Sequence, residues 1–256
     1  MSDIPIATSL SYRIPTIFAN FPELVVAEST RHGGVSPIPF FSLNLGINTA
    51  DAATNVDENR RRFFSVIGTT PDRFASSHQV HGTDVLYATE PGRFDGYDAL
   101  ITDQPGLVIG VSVADCVPNL LYDHGHKAVA AVHAGWRGTI GGIVSETLSR
   151  MQQQFDTQPN QCYAYVGTCI DAISFEVGPE VAEQFAPDFK RMDAGTGKGY
   201  VDLKAANVKY LTDFGIPPAQ IGLSPFSTVL DNDDYFSHRA ERGQTGRMLA
   251  VIGVRS

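Results

Sequence analysis

Three side chains in this sequence combine metal-binding residue types with positions that could bring them together: His81, Cys116 and His133. They are separated by 35 and 17 residues (116 − 81 and 133 − 116). Two imidazoles and one thiolate are good zinc donors, and three protein ligands leave a fourth position for water, as in catalytic sites. The spacing matches no short zinc-finger pattern. A buried structural cysteine with hydrogen-bonded histidines therefore stays open as the alternative.

The same residues also allow covalent chemistry. Cys116 could act as a nucleophile with His133 as its base, and Asp115 or Asp98 would then orient the imidazole. A thiolate beside an imidazole suits metal binding and nucleophilic attack equally well, so the sequence leaves both interpretations open.

Two apolar stretches must position these groups, at residues 107–114 and 128–132. Both are rich in Val, Ile and Ala without polar alternation, which predicts strands buried on both faces. His124-Gly125-His126 is typical of a hairpin tip between residues 119–123 and 127–132. A thiol, an imidazole, a carboxylate and a guanidinium follow the ends of these buried strands. This pattern favours an active site, since such polar groups are costly to bury without a function.

Helical patterns surround these strands. We expect a helix capped by Asp57 and ending at Gly68, a short helix over residues 71–76, and a helix capped by Asp202. Another helix is expected from about Thr139. Arg137 near its N terminus either binds a phosphate or carboxylate or forms a surface salt bridge.

Short hairpin-connected strands with interspersed helices predict an α/β or α+β fold with mixed sheets, and we expect one domain over residues 1–256. The composition is that of a globular protein, with 43% hydrophobic and 18% charged residues. A net charge of −9 argues against nonspecific nucleic-acid binding. Three cysteines make no disulfide framework, and no signal peptide or membrane span is visible, so we expect a cytoplasmic protein.

Several motifs together resemble the laccase-domain family, also called the multicopper polyphenol oxidase-like or purine nucleoside phosphorylase family, which includes bacterial peptidoglycan-editing factors. The motifs occur in family order from about residue 25 to the C terminus. They are Ser29-Thr-Arg-His-Gly-Gly-Val-Ser36, Ser42-Leu-Asn-Leu-Gly46, Glu58-Asn-Arg60, Gln79-Val-His-Gly82, Asp98-Ala-Leu-Ile-Thr102, Ala114-Asp-Cys116, His133-Ala-Gly-Trp-Arg-Gly138 and Thr245-Gly-Arg247.

This resemblance implies an α+β fold of mixed sheets flanked by helices and a zinc site at His81, Cys116 and His133. It implies phosphorolysis of adenosine, inosine and 5′-methylthioadenosine, with adenosine deamination as a second activity. The expected partners are purine nucleosides and phosphate, without nucleic acid or membrane, for a monomer or weak homodimer. Copper (Cu²⁺) is the alternative metal.

Residue roles follow from this resemblance and from residue type. The expected catalytic set is Cys116, Asp115 and His133, with Asp115 or Asp98 moving a proton during attack of a zinc-activated water on purine C6. Arginines would hold the phosphate, and an asparagine would bind the ribose hydroxyls. The expected substrate-binding residues are Arg31, Asn44, Arg60, Asp98 and Arg137.

Three alternatives remain. The first is a hydrolase that edits a cell-wall precursor with the same residues, and the second is a copper oxidase of phenols, for which seven histidines with one convincing cluster are few. The third is a non-catalytic, zinc-stabilised binding protein. The chain departs from the family at Thr168, where proline is usual, and at Ser227, where cysteine is frequent, so both positions bear on the pocket.

Overall fold

The computed structural model describes residues 12–256, which contain fifteen strands and five α-helices. The strands are β1 (Tyr12–Arg13), β2 (Leu24–Ser29), β3 (Phe74–His78), β4 (Val85–Tyr87), β5 (Gly92–Asp95), β6 (Ala99–Thr102), β7 (Val108–Val113), β8 (Val117–Asp123), β9 (Ala128–Ala134), β10 (Cys162–Val166), β11 (Glu176–Val177), β12 (Lys190–Met192), β13 (Gly199–Val201), β14 (Ile221–Leu223) and β15 (Met248–Val254). The helices are α1 (Ala53–Val66), α2 (Trp136–Ile140), α3 (Ile143–Phe155), α4 (Pro179–Ala182) and α5 (Leu203–Phe214).

The strands form two six-stranded mixed sheets and one small sheet. The first sheet has the order β1-β2-β15-β7-β3-β5, and the second has the order β14-β10-β8-β9-β6-β4. Strand β3 runs parallel to β5 and β7, whereas β8 and β9 form an antiparallel hairpin. The third sheet, β11-β13-β12, is antiparallel. The prediction of an α+β fold with mixed sheets is therefore confirmed.

Side chains of the central strands point alternately to the two faces of each large sheet, and both faces are buried. Leu120 of β8 packs in the core shared by the two sheets, whereas its neighbour Leu121 packs with the core formed by α3 and α5. Phe63 and Phe64 of α1 cover the outer face of the first sheet. The result is four layers, helix–sheet–sheet–helix, with apolar burial as the main stabilising contribution.

The central strands and the hairpin agree with the sequence. All residues of β9 and all but Ser112 of β7 are buried, as expected for strands covered on both faces. Residues 124–127 connect β8 to β9, so the predicted hairpin tip is confirmed. Asp202 caps α5 by accepting a 2.8 Å hydrogen bond from the amide of Ala205.

Three helix predictions were wrong in their bounds. Helix α1 begins at Ala53 rather than after Asp57, because Asp51 accepts hydrogen bonds from the amide of Ala52 and from Asn55 in its first turn. Residues 74–76 continue into strand β3, since Phe74 and Ala75 pack into different cores on opposite faces. The helix expected from Thr139 is two helices, separated by Gly141 and Gly142.

No helix within residues 12–256 is long and apolar enough to cross a membrane.

Candidate active site

Three chain segments bring the predicted donor residues together at one edge of the sheets. His81 follows β3, Cys116 directly precedes β8, and His133 is the sixth residue of β9, which pairs with β8. Their ligand atoms all lie within 4.8 Å of one another, and the two imidazole rings meet edge to face with centroids 4.8 Å apart. The antiparallel register of β8 and β9 therefore places Cys116 close to His133, and the turn after β3 adds His81 as the third donor.

One buried carboxylate, that of Asp98, holds both histidines. Its Oδ1 lies 2.7 Å from Nδ1 of His133 and accepts a 2.9 Å hydrogen bond from the amide of His81. Its Oδ2 accepts from the amides of Val80 and Gly82, at 3.1 and 2.7 Å. Because Nδ1 of His133 is committed to Asp98, Nε2 is the nitrogen left for a metal, which is the usual role of a carboxylate behind a metal-binding histidine.

Asp115 organises the other side of the site. Its Oδ1 accepts hydrogen bonds from the hydroxyls of Thr228 and Ser237, at 2.5 and 2.7 Å, and its Oδ2 accepts from the amide of Arg239 at 2.6 Å. The backbone of Asp115 is left-handed, with φ of 83°, and that of His81 has φ of 61°. Such non-glycine conformations cost about 1–3 kcal/mol and persist where surrounding contacts hold them, as they do for both residues.

Electrostatics favour the ionised thiol at the donor cluster. Burial of Cys116 opposes ionisation, but the charge of His133 and hydrogen bonds from His133 and His81 lower its pKa below the ordinary value. Burial likewise opposes protonation of His133, but Cys116 and Asp98 raise its pKa. Cys162 and Cys169 differ, since burial raises the pKa of each thiol to about 12. Of the three thiols, Cys116 is therefore the candidate for metal binding or nucleophilic chemistry.

The donor chemistry fits a divalent, borderline-soft ion. Two imidazole nitrogens and a thiolate are a three-ligand set of the type found in catalytic zinc sites, and the carboxylate of Asp98 supplies the outer support. Residues 12–256, which include all seven histidines and all three cysteines, bring together one such group of three donors. The structure therefore has a candidate site for one metal ion.

Gly135 keeps the donors close by having no side chain. A Cβ at this position would lie 2.8 Å from Cδ2 of His81 and 3.1 Å from Sγ of Cys116. Real Cβ contacts are longer, so any side chain here would displace the imidazole. The first glycine of the His133–Gly138 motif is thus a space requirement of the donor cluster.

We expect Gly135→Ala to weaken metal binding by about tenfold or more, as displacement of supporting groups around a metal typically does. Competition with a chromophoric chelator measures the change. The matched control is Gly195→Ala in the β12–β13 turn, where a Cβ would meet only Asp193 at 3.3 Å. Unchanged affinity in Gly135→Ala would show that His81 moves aside without consequence.

A cavity of about 450 Å³ opens over the donor cluster. His81, Cys116 and His133 lie at its wall, together with Asp115, Ile170 and Phe175. Four arginines, Arg60, Arg93, Arg239 and Arg247, and two further histidines, His78 and His238, also line it. The volume is within the range of small-molecule sites, and the mixture of apolar wall and arginines suits an organic substrate together with an anion.

Of the five residues predicted to bind substrate, the structure brings only Arg60 into this cavity. Arg31 donates instead to the carbonyls of Phe41 and Asn232 and forms an ion pair with Glu241 at 2.9 Å. Asn44 is fully buried. Its side-chain NH₂ group donates hydrogen bonds to Thr49 and Asp51, and its side-chain oxygen accepts from the backbone amides of Gly46 and Arg247. The hydrogen bonds of these two residues hold loops together, and neither residue lines the cavity.

Asp98 and Arg137 also lie outside the cavity lining. Asp98 is buried behind His133, with both oxygens occupied as described above, so it supports the donors rather than contacting a substrate. Arg137 is exposed on α2, with its guanidinium 4.3 Å from the ring centroid of Trp136. Helix α2, which carries Arg137, is five residues long.

Other cavity residues were missed from the sequence. Arg247 lies in the Thr245-Gly-Arg247 motif, which was a usable signal, and its stem would contact a side chain at Gly46. Arg93 and His238 lie in no motif, and nothing in their local sequence marks them. Only the sheet order, which places β5 and the segment before β15 beside β3 and β7, brings them to the cavity.

The two departures from the family lie behind the cavity wall. The amide and hydroxyl of Thr168 donate to the buried carboxylate of Glu28, at 2.6 and 2.8 Å. A proline would have no N–H to donate. Burial raises the pKa of Glu28, although the bonds from Thr168 partly offset this effect. Ser227 donates to Asp171, so both positions support the segment that carries Ile170 into the cavity.

The four-layer α+β fold and the cavity with its His–Cys–His donor group are together the features of a candidate metalloprotein. The family model described as multi-copper polyphenol oxidoreductase laccase matches residues 25–255, and the chain belongs to this family.

Relatives and solved structures agree with this assignment. The chain is 36% identical to a purine nucleoside phosphorylase of Bacteroides thetaiotaomicron, covering 96% of both chains, and 38% identical to one of Deinococcus radiodurans, covering 91% of both. The crystal structure of YlmD from Geobacillus stearothermophilus is similar, with a TM-score of 0.88 and 34% identity over 92% of this chain and 93% of YlmD. The Bacillus licheniformis YfiH structure has a TM-score of 0.91 with 27% identity, covering 96% and 97%.

Proposed function

We propose that this protein is a zinc-dependent purine nucleoside phosphorylase. The relatives named as purine nucleoside phosphorylases support this general activity. The observation that carries the proposal is one cavity in which a His–Cys–His donor group meets four arginines. A phosphorylase needs to hold an anion and a nucleoside together, and this lining offers groups for both.

The reaction joins a phosphate oxygen to C1′ of the ribose and breaks the bond from C1′ to the purine nitrogen. The nitrogen takes up the proton that the attacking hydrogen phosphate loses, and free purine and sugar 1-phosphate leave. Arginines of the lining hold the phosphate anion, and the apolar wall at Ile170 and Phe175 offers contact area for a purine ring. Holding both reactants in one cavity supplies the proximity that such a bimolecular reaction requires.

His81, Cys116 and His133 are the residues proposed to hold zinc, with Asp98 fixing the ring of His133. Bound by these residues, zinc would supply a Lewis acid that could lower the pKa of a water toward about 7. Asp115, through its three hydrogen bonds, holds the backbone beside Cys116 in its left-handed conformation. A cytoplasmic location is part of this proposal, because Cys116 must remain a free thiol.

The finer proposal names adenosine, inosine and 5′-methylthioadenosine as substrates and includes adenosine deamination. It rests on the resemblance of the chain to its family and on the donor group. The earlier assignment of phosphate to Arg31 and Arg137 is replaced by the cavity arginines, since neither residue lines the cavity. The monomer or weak homodimer stays a prediction.

Metal analysis of the purified protein, combined with product detection from adenosine with and without phosphate, tests the proposal. We expect close to one zinc per chain and adenine release that requires phosphate, with inosine as the deamination product. Full activity after complete metal removal would contradict it. Zinc without nucleoside products would favour the cell-wall precursor hydrolase, and copper with phenol oxidation would favour the oxidase.

A further inference from the structure

Two residues of the cavity lining, Gln79 and Ser112, face each other where the first sheet opens. Strands β3 and β7 are parallel but pair at only two positions, both at the start of β3. If this register continued, His78 would lie beside Ser112. The strands separate instead, and residues of both, including Ser77 of β3 and Ser112 of β7, line the cavity. The cavity therefore occupies a gap between two strands of one sheet.

The side chain of Gln79 crosses this gap. Its Oε1 accepts hydrogen bonds from the amide and the hydroxyl of Ser112, at 2.8 and 3.0 Å. Its Nε2 donates to the carbonyl of Ser112 at 2.8 Å. A carboxamide offers a donor and an acceptor side by side, as a peptide group does, so it replaces the backbone partner that β3 no longer provides. We refer to this contact between Gln79 and Ser112 as the amide bridge.

The amide bridge joins the chain segments of two metal-binding candidates. His81 lies two residues after Gln79, and Cys116 lies four residues after Ser112. The turn between Gln79 and Thr83 is also fixed from below, because the carboxylate of Asp98 accepts hydrogen bonds from three of its amides. With so few residues between the bridge and each donor, a shift at the bridge would displace His81 relative to Cys116.

Each pair of donors thus has its own connection. Asp98 connects His81 with His133 through hydrogen bonds of 2.9 and 2.7 Å. The ladder of β8 and β9 connects Cys116 with His133. The amide bridge is the third connection, between the segments of His81 and Cys116. A site of three ligands binds a metal tightly when all three separations are set before the metal arrives.

We infer that Gln79 is a positioning residue of the donor group, which holds His81 and Cys116 at the separation at which both bind one metal ion. Its hydrogen bonds go to the backbone and hydroxyl of Ser112, so it acts through the chain and not as a ligand. The inference rests on the proposed function for the identity of the metal as zinc, whereas metal affinity is measured without turnover.

Chelator competition for zinc tests this role. We expect Gln79→Ala to weaken zinc binding by about 10–100-fold, the loss typical of groups that orient metal ligands. Gln220→Ala is the matched control, because the amide of Gln220 donates to the carbonyls of Asn160 and Cys162, outside the cavity. The control should lose stability but bind zinc as the wild type does. Equal zinc affinity in the two variants would overturn the inference.

Cobalt substitution gives a second readout that a purely structural role would not change. Co²⁺ bound by imidazole and thiolate absorbs visible light, and its bands follow the coordination geometry. We expect Gln79→Ala to alter these bands and Gln220→Ala to leave them unchanged. Gln79→Leu, which fills similar space without the hydrogen bonds, should behave as Gln79→Ala does and replaces it if the alanine variant fails to fold. Wild-type cobalt bands in a Gln79 variant would contradict the inference.

The two proposals fail in different ways. Wild-type protein that binds zinc but releases no adenine would contradict the phosphorylase only, because the affinities of the Gln79 variants are measured without substrate. Unchanged zinc affinity in these variants, with phosphate-dependent adenine release by the wild type, would contradict only the positioning role. Wild-type protein that binds neither zinc nor cobalt would overturn both.

Discussion

Cys116→Ala is expected to purify with little zinc and to lose nearly all nucleoside phosphorylase activity. The variant removes the only thiolate of the donor group and leaves two imidazoles, which are too few to hold zinc in an open catalytic site. The loss in metal affinity should exceed the 10–100-fold typical of outer-shell changes around a metal. Metal analysis and phosphate-dependent adenine release measure the two effects.

The same variant decides whether Cys116 binds metal or attacks substrate. Loss of zinc together with activity supports the ligand role, whereas retained zinc with lost activity would point to a nucleophile. Cys162→Ala is the control, because Cys162 is buried in β10 and its pKa is raised to about 12. That control should keep its zinc and activity while losing some stability through the small cavity it creates.

The donor cluster was predictable from sequence because strand register carries it. The segments at residues 119–123 and 127–132 are connected by a short hairpin tip and must pair antiparallel, and pairing Pro118 with His133 places Cys116 beside that histidine. His81 was recognisable as a donor by its residue type, but its proximity to Cys116 and His133 depends on the order β7-β3-β5 in the other sheet. Local patterns contain no information about such an order.

The substrate-binding residues were harder to predict for a physical reason. Arg31 and Asn44 have the side chains of binding residues, yet both are used to satisfy buried carbonyls, carboxylates and amides of nearby loops. Arg93, by contrast, has no sequence signal and reaches the cavity through the parallel pairing of β5 with β3. Residue type indicates what a group can bind, whereas tertiary contacts decide which partner it has.

Asp98→Asn is expected to lower zinc affinity by roughly 10–100-fold while leaving all three ligands in the chain. The amide keeps one accepting oxygen for four donors, which come from His133 and the amides of Val80, His81 and Gly82. Its NH₂ group would face N–H donors, so the turn of His81 and the ring of His133 would both lose their support. Each unsatisfied buried donor costs about 1–3 kcal/mol of folding free energy.

Asp123→Asn separates loss of metal from loss of stability. Asp123 is also fully buried, accepts from the amides of Gly125 and His126, and lies 2.8 Å from Nδ1 of His126. It lies at the opposite end of β8 from Cys116, so its variant should unfold at lower denaturant concentration but bind zinc normally. If Asp98→Asn and Asp123→Asn lose the same stability and neither loses zinc, Asp98 would be a structural carboxylate only. A selective loss of zinc in Asp98→Asn would show that one carboxylate orients two of the three metal ligands.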